Sequence, residues 1–149
     1  MKKILVPLML LLSIMLVLSC ASKPAPITTQ EEVDKAFEDV YQQFRGDLIL
    51  EGATTYIVVS GDTLSNISRS QYQDGFYFPL IMLASSKVVL DPDQIRPDME
   101  LTVPDLQRNL GDAKAKGKIK SYLVEIAKIY DRRGRPKDAD GLRELSASL

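Results

Sequence analysis

Reactive side chains are scarce in this sequence. It has no histidine, no tryptophan and one cysteine, Cys20. Ser-His-Asp and Cys-His nucleophilic systems, and zinc sites built on imidazole, therefore cannot be assembled. No catalytic residue, metal site or cofactor is expected. Charge is nearly balanced, with 19 Lys+Arg against 20 Asp+Glu in 149 residues. Without Lys2 and Lys3 there are 17 basic and 20 acidic residues, a formal charge of −3. A mildly acidic chain is a poor match for a polyanion, so no nucleic-acid partner is expected. The remaining chemistry is non-covalent. Ser60-Gly61 ends an apolar stretch at a turn, and Asp62 or Thr63 after it can accept the first free N–H groups of a helix.

The elements that position this turn can be read on either side of it. Residues 1–19 combine a basic start, Lys2-Lys3, with an apolar run from Ile4 to Leu18. About 20 apolar residues are needed to span a bilayer, so the run reads as a secretory signal. Val17-Leu18-Ser19-Cys20 resembles the bacterial lipobox, which implies lipidation at Cys20. Acyl chains contribute about 0.8 kcal/mol per buried CH2, so two or three would anchor the chain durably. With one cysteine no internal disulfide can form. Residues 20–29 then read as a tether with nothing to pack, about 30 Å at most when extended. The absence of Asp at position 21 favours an outer-membrane destination under the lipoprotein sorting rule.

Thr28 or Thr29 can cap a helix over residues 30–46, with Glu31 and Glu32 at its positive end. Val33, Phe37, Val40, Tyr41 and Phe44 form its single apolar stripe, and Gly46 ends it. This stripe packs on the following domain or serves as a partner face. Thr55-Tyr56-Ile57-Val58-Val59 reads as a strand, followed by a short helix to about Gln71. Pro79 suits the first turn of a second helix, with Leu80, Ile81, Leu83 and Ala84 inward. Asp91-Pro92 and Arg96-Pro97 mark turns, and Leu101-Thr102-Val103 is a second strand. In residues 114–149 Lys114 to Lys120 reads as a linker or frayed helix start. Ile119, Tyr122, Leu123, Ile126, Ile129 and Tyr130 follow at helical spacing. Arg132, Arg133 and Arg135 form a solvated turn or else contact anionic glycan, peptide carboxylates or lipid, and Ala139, Leu142, Leu145 and Leu149 share a face of a last helix. This is a helical hairpin. Ala127, Tyr130 and Ala139 have the spacing of a tetratricopeptide repeat, but a single unit is not a stable array.

Tyr56-Ile57-Val58-Val59-Ser60-Gly61-Asp62-Thr63-Leu64-Ser65-Asn66-Ile67 fits Y-x-V-x-x-G-D-T-L-x-x-I, and Ile95-Arg96-Pro97-Asp98-Met99-Glu100-Leu101-Thr102-Val103-Pro104 resembles I-x-P-G-x-x-L-x-I-P. These two ends, at this separation, resemble a LysM domain over residues 55–104. The fold class that follows is α+β: a LysM β-α-α-β unit flanked by an N-terminal helix and a C-terminal helical hairpin. The resemblance implies binding of N-acetylglucosamine glycans, in bacteria usually peptidoglycan, in a shallow groove between two loops. Carried over by position, the first loop is Gly61, Asp62, Thr63 and Leu64, and the second is Leu90, Asp91, Pro92, Asp93, Gln94 and Ile95. Main-chain groups would match the acetamido amide, while Leu64, Pro92 or Ile95 cover its methyl and a sugar face. Two departures from the pattern matter. Ser85 stands near the end of the second helix where the family often has Asn, which implies weaker loop fixation. Asp98 replaces a turn glycine, and Asp tolerates the left-handed region.

The expectation is a non-catalytic peptidoglycan-binding lipoprotein that links membrane to cell wall from the periplasmic side of the envelope. The alternative is an envelope scaffold acting on protein partners through its flanking helices, with a non-binding LysM fold. A wall hydrolase would need two carboxylates about 5–10 Å apart in a cleft, and no segment outside 55–104 is long enough to build one.

Overall fold

The computed structural model describes residues 24–149. The leader 1–19, Cys20 and the first tether residues lie outside the described residues. The chain runs α1 (Gln30–Phe44), β1 (Thr54–Ile57), α2 (Leu64–Tyr72), α3 (Phe78–Ala84), β2 (Glu100–Val103), α4 (Leu106–Gly111), α5 (Ala113–Arg132) and α6 (Pro136–Ser148), with 3-10 turns at Gly75–Tyr77 and Pro92–Gln94. The architecture is α+β, a β-α-α-β unit with helices on either side in sequence.

Local chemistry sets the helix limits. Thr29 and Glu32 form a reciprocal capping box on α1, and Gly46, at φ +93°, follows its end. Asp112 caps α5 by accepting from the N–H of Ala115 at 2.8 Å. The lysine-rich stretch from Lys114 to Lys120 is thus regular helix rather than a linker. Asp105 caps the short α4, a helix beyond those expected from the sequence. Buried Asn109 on α4 accepts from the N–H of Ile49 and donates to its carbonyl, both at 2.9 Å. That exchange fixes the run between α1 and β1.

The stripe of α1 is buried as its spacing requires, and the surface that covers it is mainly α5. Phe37 meets Tyr130 edge-on at 6.3 Å, and Phe44 packs on Tyr122 at 5.4 Å. On its other side α5 meets α3. Phe78 stands edge-on to Tyr130 at 6.0 Å, and the Tyr122 hydroxyl donates to the Pro79 carbonyl at 3.0 Å. Ala84, read as inward, is only half-buried. Gly141 in α6 lies under the Phe76 ring, where an added Cβ would stand 2.2 Å from Phe76 Cζ. One continuous core therefore runs through the N-terminal helix, the β-α-α-β unit and the hairpin.

The start of the described chain departs from the expected free tether. Ile27 is buried and donates its N–H to the Arg132 carbonyl at 2.9 Å, and Arg132 Nε donates to the Ala25 carbonyl at 3.0 Å. Burial of the Ile27 side chain together with these two hydrogen bonds docks the segment.

All six tyrosines are held above their ordinary phenol pKa. Burial is the main cause for Tyr41, Tyr72, Tyr77, Tyr122 and Tyr130, and the hydrogen bond to Asp62 for Tyr56. The neutral phenol is the form that the fold favours. Its contribution is complete below the unfolded pKa of about 10 and is lost as pH rises through the higher folded values. Alkaline titration should accordingly show the phenolate absorbance of the buried Tyr41, Tyr122 and Tyr130 appearing together with loss of helical circular dichroism, after the more open Tyr56 and Tyr77. Smooth ionisation of all six tyrosines in a still-helical protein would contradict this packing.

Candidate functional site

β1 and β2 pair antiparallel, with Ile57 opposite Glu100. The loop leaving β1 and the loop entering β2 must therefore emerge at the same end of the sheet. Two bonds tie their bases: the Val58 N–H donates to the Met99 carbonyl and the Asp98 N–H to the Val58 carbonyl, each at 2.9 Å. Asp98 takes φ +70°, so the turn survives without its glycine.

The first loop is a tight turn built by Asp62. Its Oδ2 accepts from the Val59 N–H and from the Tyr56 hydroxyl, both at 2.9 Å, and its own N–H donates to the Val59 carbonyl at 3.2 Å. Thr63 caps α2 through the N–H of Asn66. With both side chains holding the turn, what faces outward is main chain. Ser60 and Gly61 are exposed, and among the described residues their N–H and C=O groups take no partner. Gly61 sits at φ +92°, with nothing within 4 Å of an added Cβ. Its glycine is required by backbone angle, not by crowding.

The second loop is fixed from outside itself. The Tyr41 hydroxyl donates to the Leu90 carbonyl at 2.8 Å. Asp91, only 1% exposed, accepts from Gln30 Nε2 at 2.9 Å and from Arg133 Nη1 at 3.1 Å. Asp93 accepts from both Arg133 and Arg135 at 2.8 Å. Leu90, Asp93 and Gln94 are exposed, and Ile95 is half-buried with unpartnered main-chain groups.

Several sequence expectations are corrected here. Leu64 and Pro92 are buried, so neither side chain can lie over a sugar, because each is already used in packing. The Asp91 carboxylate is fully engaged by protein donors. Arg133 is no solvated residue: it is 13% exposed, and its guanidinium lies 5.7 Å from both the Phe37 and Tyr130 rings. Ser85 fixes more than one hydroxyl suggested. Its Oγ accepts from the Thr102 N–H at 2.9 Å and donates weakly to the Thr102 carbonyl at 3.4 Å, while its own carbonyl accepts from Val88 and Val89. One hydroxyl can both donate and accept, so Ser85 joins β2 to the approach of the second loop. Ser85→Ala should lower stability by about 1–2 kcal/mol, measured by urea unfolding; an unchanged midpoint would contradict this clip.

Val59 was not singled out from the sequence, yet it is 56% exposed beside Gly61. Its signal was alternation: Val58 is buried, while Ile57 and Val59 point out. An outward Val59 and a half-buried Ile95 give the two loops an apolar surface beside their free amides. The better-formed clefts lie elsewhere: one of about 1140 Å³ beside Pro26, Ile27 and Arg132, one of about 390 Å³ near Leu50 and Val88, and one of about 370 Å³ near Tyr72 and Gln107. Among the described residues no cluster of acidic, Cys or His side chains could hold a metal ion, and no helix is long and apolar enough to cross a membrane.

A two-stranded sheet carrying two helices, with paired loops at one end exposing main-chain amides, defines a small recognition module. Residues 56–104 match the LysM domain, so the chain contains one. LysM domains are generally binding modules for peptidoglycan and N-acetylglucosamine glycans, and are not catalytic. Compared as a whole, the chain matches no curated protein and no solved structure.

Proposed function

We propose that this chain is a non-catalytic, lipid-anchored protein that binds peptidoglycan and ties a membrane to the cell wall. The observation supporting glycan binding is the set of unpartnered main-chain amides on both loops, at Ser60, Gly61 and Ile95. An acetamido group offers one donor, one acceptor and one methyl, and these loops offer complementary groups beside Val59 and Ile95. Few polar contacts in a shallow groove suit a dissociation constant near 1 mM, about −4 kcal/mol. Attachment through Cys20 would hold such a site beside a polymer of repeated sugars, where local concentration compensates for weak single contacts. The anchor places the protein in the cell envelope, facing the periplasm from the outer membrane. The stripes of α1 and of the hairpin are buried against one another, which leaves those faces little to offer protein partners. Pulldown on purified sacculi tests the reading. The unaltered protein should be retained, and Gly61→Val, which cannot easily hold φ +92°, should elute early. Failure of the unaltered protein to be retained would overturn it.

A further inference from the structure

The turn between α5 and α6 places three arginines on two different segments. Arg132 holds the docked start of the chain at Ala25 and Ile27. Arg133 reaches Asp91 and Asp93, and Arg135 reaches Asp93 and Asp138. Among the described residues, no other ion pair joins two groups as little exposed as the Asp91 carboxylate, at 1%, and the Arg133 guanidinium, at 13%. Desolvating two charges is expensive, and such a pair is satisfied only in one geometry. What it fixes is the entry to the second loop. The N–H groups of Asp93 and Gln94 turn back onto Asp91, at 3.1 Å and 3.0 Å, forming the turn Pro92–Gln94. The next residue is Ile95, whose main-chain groups are free.

We propose that Arg133, assisted by Arg135, is a positioning residue for ligand contact at Ile95. It holds Asp91 and thereby the turn that aims the Ile95 amide. Glycan affinity then belongs to the LysM unit and the hairpin jointly. This rests on the reading of Leu90–Ile95 as one wall of the groove. A loop that must be ordered on binding draws on the interaction energy of its ligand, while a loop ordered beforehand does not. For a site working near a millimolar constant, that difference decides whether binding is measurable.

The test uses the full chain with Arg133→Ala, Arg135→Ala and, as a stability control, Leu142→Ala, which removes a fully buried side chain of α6. Each is titrated with the N-acetylglucosamine tetramer, followed by backbone amide NMR at a temperature where all are folded. Arg133→Ala should shift the amides of residues 91–95 before sugar is added and weaken binding at least tenfold. Arg135→Ala, which leaves Asp91 paired, should show a smaller loss of the same kind and carries the test if Arg133→Ala does not fold. Leu142→Ala should bind as the unaltered chain does. Wild-type affinity in the Arg133 and Arg135 variants overturns the proposal, as does equal weakening in Leu142→Ala. No response from the unaltered chain defeats the glycan reading itself; a response shared by the arginine variants defeats only this inference.

Discussion

Tyr130→Ala should destabilise the protein by about 4 kcal/mol, a large part of the 5–15 kcal/mol that holds a typical domain together. Tyr130 is 2% exposed and is the ring on which three segments converge. Phe37 approaches it from α1 and Phe78 from α3, while Arg135 lies 4.7 Å above its face. Deleting it leaves a cavity bounded by the N-terminal helix, the LysM unit and the hairpin, and none of these can collapse without moving another. Because the core is continuous, urea unfolding should stay a single transition with its midpoint lowered. Two separated transitions, with the LysM unit melting as before, would show that the hairpin is an independent body.

Arg133→Ala should cost about 3 kcal/mol, because it leaves the Asp91 carboxylate buried with Gln30 as its remaining side-chain donor. The companion variant Arg143→Ala, which breaks exposed pairs with Asp131 and Asp140, should change stability by less than about 0.5 kcal/mol. Urea midpoints of the two variants, measured at low and high salt, check both figures. The Arg133 effect should persist in salt, since a desolvated pair is poorly screened. Similar small losses for both arginines would place Arg133 among ordinary surface residues.

The parts of this structure legible in the sequence are those governed by near neighbours. Thr29 with Glu32, the stripe from Val33 to Phe44, and Gly46 each act within a few residues, and they delimit α1 closely. The left-handed turns at Gly61 and Asp98 were legible through the motif resemblance, which marks both positions as turns. The two-ended LysM pattern supplied topology that periodicity alone could not. What escaped depends on distance along the chain. Asp91 looks like a loop acid and Arg133 like a turn cation, until folding brings residues more than 40 apart into one pair. Ile27 looks unpackable until α5 offers it a seat. Ser85 looks like a poor substitute for Asn until its hydroxyl is seen between both main-chain groups of Thr102. In the candidate site, the LysM resemblance found the turn at Gly61. It misjudged which apolar side chains face outward, because Leu64 follows the cap into the core while Val59 sits at the open end of the strand's alternation.

The most direct test of the account is titration of the full chain with N-acetylglucosamine oligomers and muropeptides, observed by backbone amide NMR. Saturable shifts are expected at Ser60, Gly61 and Ile95, with a dissociation constant near 1 mM. Unmoved resonances at both loops, or shifts confined to the cleft beside Tyr72 and Gln107, would contradict it.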